Sequence, residues 1–382
     1  MSALENDHNV YVVGAGFSAD RGLPVLANFM LVMRDAHPWL MTNGRKSEAL
    51  SIQTVLEYRL KAASAGYRVR IELENIEELF SLAAASRDDL TPDIRTAIAA
   101  TLDYCQKTNP EARTYFDVAK DTLPTVGNIT AGSFNPSRGN VIRLSMPTYE
   151  HYVGGLTGWF GSGIVVGKNT FISFNYDTLV EESLSGLGID FTYGFKPNSV
   201  DLDPSLSSLR QREGASIKVL KLHGSNNWAR EDAEKKLRLF GSYDAVRSKN
   251  WSPELVPPTW RKVFGNELND VWSEALTAIE SATRVIMLGF SMPETDLHFK
   301  YLLAAGLQNN VSLRQIVAVN PDTVAIEKRL STMLLASPVG FKRWFVSGNT
   351  VQAFINRGFF EAGIESYGRS MHASVQSFSI NS

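Results

Sequence analysis

VYVVGAGFSADRGLPVL, residues 10–26, carries an apolar strand pattern straight into Gly14-Ala15-Gly16. A strand that ends in Gly-x-Gly and opens a helix suits a phosphate group. Glycine permits the tight turn and close backbone approach, and a helix N-terminus presents amide donors. A redox dinucleotide site further expects a crossover helix and a second strand ending in an acidic residue about 20 positions on. Asp35 stands at that distance, but Gly22 and Pro24 leave too little chain for the crossover helix. The stretch therefore predicts a nucleotide site of another kind, with a ligand-free strand–helix turn as the plain alternative.

Beyond this stretch, four further apolar, β-rich runs follow the one at Asn9–Val13: Thr170–Phe174, Ile217–Lys221, Arg284–Leu288 and Gln315–Val319. Each is apolar along its whole length, as strands buried on both faces of a parallel sheet are. Helical patterns at Asn266–Ser281, Asp296–Leu307 and Asp322–Leu335 alternate with the later runs. Strands alternating with helices predict an α/β fold with a Rossmann-like parallel sheet. Between the first two runs lies a stretch of different character. Ile76, Leu79, Phe80 and Ala83 recur at helical spacing, and Ile94, Ile98, Leu102 and Cys105 form a second stripe behind Thr91 as N-cap and Pro92 as first helical residue. The chain thus reads as one domain over residues 1–382, with a helical insertion module at about 40–125 and a C-terminal extension at about 340–382. Residues 125–148, rich in Gly, Ser, Asn and Pro, read as a long surface loop, and the Ser-rich tail from Gly368 as a loose terminus.

Composition narrows the function classes. Hydrophobic residues make up 44% and charged residues 20%, with a net charge of −2, so no basic field points to nucleic acid or an anionic membrane. No apolar run approaches the ~18 residues of a membrane span. One cysteine, Cys105, cannot form an intrachain disulfide or a Cys-based zinc site, and its stripe position marks it as a core thiol. The start of the chain lacks a secretory pattern, so a soluble, cytoplasmic protein is expected, with no metal site.

Each later strand run ends in a polar cluster. FISFNYD delivers Asn175 and Asp177, KVLKLHGS delivers His223, Gly224 and Ser225, VIMLGFSMP delivers Gly289, Ser291 and Pro293, and IVAVNPD delivers Asn320 and Asp322. Singly, each has a plain structural reading as an Asx-turn, a helix cap or a loop. Together with the glycine loop they occupy one register relative to the strands, where ligands of open parallel sheets bind.

The ordered set GAGFSADRGLP, FNYD, LHGS, GFS and VNPD resembles the sirtuin-like NAD-binding fold over roughly residues 10–322, the helical insertion aside. The departures are as informative as the matches. The four-cysteine zinc module of the protein deacetylases is missing, and Val25-Leu26-Ala27 follows Pro24 where that branch has Asp-Phe-Arg. The wording ISFNYDTLVEESL, LKLHGSNNW and NIEELFSL resembles the bacterial branch whose members degrade NAD in anti-phage defence, commonly as oligomers and in some cases with a HerA-type ATPase.

The resemblance implies an NAD glycohydrolase with NAD as substrate, acting as a homo-oligomer or with a HerA-type ATPase partner. It places Asn175, His223 and Asp177 as catalytic residues. Gly14, Ala15, Gly16, Ser18, Gly22, Pro24, Gly289, Ser291 and Asn320 become the dinucleotide-binding residues. Asn175 suits orientation of a water or ribose hydroxyl, and His223 is the nearby side chain able to act as a base near neutrality. Two alternatives stay open: a silent NAD or ADP-ribose sensor that regulates a partner, and an NAD-dependent ADP-ribosyl or deacyl transferase.

Overall fold

A computed structural model describes residues 8–66, 68–69, 71–86, 90–119, 130–131, 141–159, 168–231, 236–259, 267–293, 296–334, 344–348 and 350–355. In chain order the strands are β1 (His8–Val13), β2 (Arg113–Ala119), β3 (Thr130–Ala131), β4 (Val141–Pro147), β5 (Lys168–Ser173), β6 (Phe191–Thr192), β7 (Asp201–Leu202), β8 (Ile217–Lys221), β9 (Gly224–Arg230), β10 (Arg238–Leu239), β11 (Ser252–Leu255), β12 (Arg284–Leu288), β13 (Gln315–Val319) and β14 (Trp344–Ser347). The helices are α1 (Ala15–Ser18), α2 (Phe29–Thr42), α3 (Lys46–Gly66), α4 (Ile76–Ala85), α5 (Thr91–Thr108), α6 (Thr148–Thr157), α7 (Leu179–Gly186), α8 (Tyr243–Ser248), α9 (Leu268–Ser281), α10 (Leu297–Gln308) and α11 (Thr323–Met333).

The five apolar runs of the sequence are all strands of one parallel sheet of order β14-β13-β12-β1-β5-β8-β6. Their residues are buried because helices cover both faces, the condition that lets a strand be apolar throughout. From β1 the chain builds outward on one side through β5 and β8, then crosses to β12 and continues to β13 and β14. The strand order therefore reverses beside β1, a topological switch point. Register aligns the strand ends there: Val13 pairs with both Ser173 and Leu288, Ser173 with Lys221, and Leu288 with Val319. The loops that leave these residues must open on one common edge.

The described residues of 40–125 form the end of α2, the helices α3, α4 and α5 and the strand β2; α2, α3, α4 and α5 pack on one another, and α5 packs on β11. Ile76, Leu79, Phe80 and Ala83 of α4 and Ile94, Ile98, Leu102 and Cys105 of α5 are buried. Asn75 caps α4 by accepting from the Glu77 amide at 2.9 Å. At α5 the start shifts by one residue: Leu90 is the cap position and Thr91 the first helical residue, with Pro92 following. Asp35 lies exposed within α2 and ends no strand, so the redox-type arrangement is absent at this loop.

Two smaller sheets flank the main one, an order β11-β9-β10-β7 and an antiparallel set β2-β4-β3. The second corrects the loop expected at 125–148: Val141–Pro147 is a strand paired along its length with Arg113–Ala119. Its Gly, Ser and Asn content masks the apolar residues Val141, Ile142, Leu144 and Met146, which alternate imperfectly. Trp344–Ser347, which the sequence reading gives to a C-terminal extension, pairs with β13 as the edge strand of the main sheet. The tail from Gly368 lies outside the described residues.

Candidate active site

The aligned loops enclose a cavity of about 530 Å³ at the carboxyl ends of β1, β5, β8, β12 and β13. That volume lies in the range of pockets that bury small molecules and cofactors. Eleven of the twelve expected site residues line it: Gly14, Ala15, Gly16, Ser18, Pro24, Asn175, Asp177, His223, Gly289, Ser291 and Asn320. Gly22 does not. It ends the turn Ala19–Arg21 at φ +76°, and a Cβ there would meet the Asn109 side chain at the end of α5. Its role is to let the glycine loop turn against the helical module.

The loop glycines meet each other before they meet any ligand. Gly14 N donates to Leu288 O at 3.1 Å, Gly16 N to Gly289 O at 2.9 Å, and Gly289 N to Val319 O at 3.1 Å. A Cβ on Gly289, at φ +59°, would stand 2.2 Å from Phe17 N, and one on Gly14 would stand 2.6 Å from Phe290 Cα. These three N–H groups are thus committed to backbone carbonyls. What the glycines supply to the cavity is close approach of two loops and a bare backbone wall, where the sequence suggests amide donors for phosphate.

A polar network joins the other loops. Asn175, 8% exposed, donates through Nδ2 to Gly14 O and to Ser18 Oγ, both at 2.9 Å. The Ser18 hydroxyl in turn donates to Asp177 Oδ2 at 2.8 Å, and Asp177 Oδ1 accepts from Leu179 N at 3.2 Å. Because a carbonyl can only accept, the Gly14 contact fixes which end of the Asn175 amide faces it. Oδ1 is left as the acceptor of this amide, on a residue that lines the cavity.

His223 follows β8 and sits in an aromatic frame. Phe174 meets its ring edge-on at 5.0 Å and stacks on Phe290 at 4.6 Å, and Phe299 closes on both. The Asp296 carboxylate lies 4.0 Å from His223 Nε2 and also caps α10 through Phe299 N. Gly224, at φ +77°, lets β9 turn hard against the Glu254 carbonyl, while Val256 N binds His223 O at 2.9 Å.

Electrostatically the cavity is one-signed. Asp20, Glu77, Asp177 and Asp296 line it, and among the described residues no lysine or arginine does. The neighbouring phenols register this field. Burial, then Asp177 and Asp20, push the Tyr149 hydroxyl well above its usual range, and burial, then Glu77 and Asp296, do the same at Tyr176. Among the described residues no group of His, Cys, Asp and Glu is placed to hold a metal ion.

Sequence reasoning missed several wall residues. Asp296, Phe290 and Tyr176 lie inside or next to the quoted motifs and could have been read from their position after a strand. Ile76, Glu77 and Leu102 could not, because they come from the helical insertion, which proves to be a wall of the cavity. Arg21 ties that wall to the glycine loop by donating to Gln106 O at 3.0 Å and to Asn109 O. The other motif residues take plain roles: Asp322 caps α11 through Ala325 N, Ser225 is fully buried, and Trp228 packs edge-on against Tyr193.

A parallel sheet with its cavity at the switch point defines a Rossmann-like α/β protein. Within that class the chain is similar to solved Sir2 structures. A Sir2 homologue in complex with NAD shares 14% identity, with 96% of this chain and 90% of that one covered and a TM-score of 0.36. Sir2 bound to acetylated peptide shares 14% identity over 93% of each chain, with a TM-score of 0.38. No protein-family model and no curated protein sequence matches the chain.

Proposed function

We propose that this protein binds NAD as its substrate and hydrolyses the nicotinamide–ribose bond, releasing nicotinamide and ADP-ribose. The observation that carries this reading is the cavity wall: Asn175, Asp177 and His223 meet there with three further carboxylates, Asp20, Glu77 and Asp296, and among the described residues with no lysine or arginine. NAD bears its positive charge on the nicotinamide ring, and cleavage spreads positive charge onto the ribose as an oxocarbenium-like centre forms. A fixed negative field stabilises that charge where it develops.

The residues divide the work. Asp177, held by Ser18 and Leu179 N, stabilises the ribosyl cation. Asn175 Oδ1 accepts a hydrogen bond from the attacking water or a ribose hydroxyl. His223 takes the proton of the water as its oxygen bonds to the ribose carbon, while the carbon–nitrogen bond breaks and nicotinamide leaves neutral. The aromatic frame of Phe174 and Phe290 shields this step from bulk water.

The role of anti-phage defence effector, the homo-oligomeric state and the HerA-type ATPase partner rest on the sequence resemblance, and the cytoplasmic location on the single cysteine and the composition of the chain start. Among the described residues no helix is long and apolar enough to cross a membrane.

The test is direct. Purified protein, alone and with a HerA-type ATPase, is incubated with NAD, and nicotinamide and ADP-ribose are separated by chromatography. Both products are expected, and Asn175→Ala and His223→Ala should lose turnover while remaining folded. Intact NAD under all conditions, or full activity in either variant, overturns the reading.

A further inference from the structure

Lys221 is the last residue of β8 and is 1% exposed. Its ammonium donates to the backbone carbonyl of Asp177 and lies 3.3 Å from Glu181 Oε1 on the first turn of α7, which is 1% exposed as well. In the sheet Lys221 is paired with Ser173. From Ser173 the chain runs on to Asn175 and Asp177, and from Lys221 to His223. One buried cation therefore stands behind the cavity wall at the root of both loops.

That placement is costly. A lysine taken fully out of water loses its hydration, and one carboxylate with one carbonyl compensates only in part. Apolar residues of similar volume commonly replace a buried ion pair without loss of stability, so packing alone does not call for a charge here. The cation does what no apolar side chain can: it holds the Asp177 peptide by its carbonyl, while Ser18 holds the carboxylate of the same residue.

We propose that Lys221 is a positioning residue for the reaction, fixing the Asp177 turn so that its carboxylate meets the Ser18 hydroxyl and faces the ribosyl centre. The inference rests on the hydrolase reading above and adds a residue outside the cavity to it. Lys221 touches no substrate.

The test uses the full-length protein as Lys221→Met, as the double variant Lys221→Met with Glu181→Leu, and as Glu181→Gln. The double variant removes both buried charges together and should keep a wild-type melting temperature. Its kcat is expected to fall ~10- to 100-fold, as for a misplaced catalytic group, with KM changed far less. Glu181→Gln keeps the lysine on the Asp177 carbonyl and should stay near wild-type turnover. A folded double variant with wild-type kcat overturns the proposal, and so does a tenfold loss in Glu181→Gln. A second readout is independent of turnover: the side-chain carbon NMR signals of Asp177, assigned by Asp177→Asn, should shift in the Lys221 variants as the turn that carries the carboxylate loses its anchor. If wild-type protein leaves NAD intact, the hydrolase reading fails, while unchanged Asp177 signals in the folded variants reject the role of Lys221.

Discussion

Asn175 Nδ2 donates to the carbonyl of Gly14 at 2.9 Å, across 161 positions of sequence, and so joins the loop after β5 to the loop after β1. The contact orders the site in two ways. It fixes which end of the amide faces Gly14, leaving Oδ1 as the acceptor, and it brings Asn175 onto Ser18, which passes the constraint to Asp177. Three residues from two loops thus act as one unit.

The unit predicts the effect of a residue outside the expected catalytic set. Ser18→Ala removes the hydroxyl that accepts from Asn175 and donates to Asp177, leaving both buried partners short of a bond. Nicotinamide release should fall by ~10-fold or more, and stability by about 1–3 kcal/mol. Steady-state kinetics and a urea melt measure the two, and unchanged kinetics would separate Ser18 from the site.

Gly289→Ala should be severe for a backbone reason. The residue sits at φ +59°, and its added methyl would stand 2.2 Å from Phe17 N, an atom of another loop that cannot swing aside. A loss of at least ~2 kcal/mol is expected, with a lower melting temperature and weaker NAD binding together. Calorimetry of the variant checks both, and a wild-type melt would show that the loops have room.

Stability should fall on mild acidification. Burial, then Lys168, lowers the His8 pKa from 6.5 to about 4, and burial lowers that of His151 to about 4. Above pH 6.5 both states are neutral and stability is unaffected. Between 6.5 and 4 the unfolded chain binds protons that the fold excludes, so stability drops as pH falls through this window and levels off below it. Each histidine contributes on the order of 3 kcal/mol to that drop. Urea midpoints at pH 7.5, 6 and 5 test the slope, and His8→Gln should flatten it. A flat wild-type profile would contradict the prediction.

Cys105 should be inert in the folded protein. It is 2% exposed on α5, and burial, then Asp35, pushes its thiol up to about 11. A thiol reagent at pH 8 should label it orders of magnitude more slowly than in denaturant. Rapid native labelling would mean that the helical layer opens.

The strands and the motif clusters were legible because a strand buried on both faces must be apolar throughout, and because polar residues right after it fall at the ligand edge. The strand at Val141–Pro147 was not, since its apolar residues are diluted by the Gly, Ser and Asn around them. Nor was Lys221 singled out, because a lysine at a strand end ordinarily reaches solvent, whereas here it is buried with its ammonium on the Asp177 carbonyl and beside Glu181 of α7.

The parallel sheet, the edge at which the cavity opens and eleven residues that line it were written in the sequence, because those follow from local periodicity and from position after a strand. Three matters needed the folded chain. The loop glycines commit their amides to backbone carbonyls, the helical insertion forms a wall of the cavity, and the Asn175 amide nitrogen is taken by Gly14 and Ser18. Each depends on which distant segment packs against which, and contact between residues more than a hundred positions apart is not written in either segment alone.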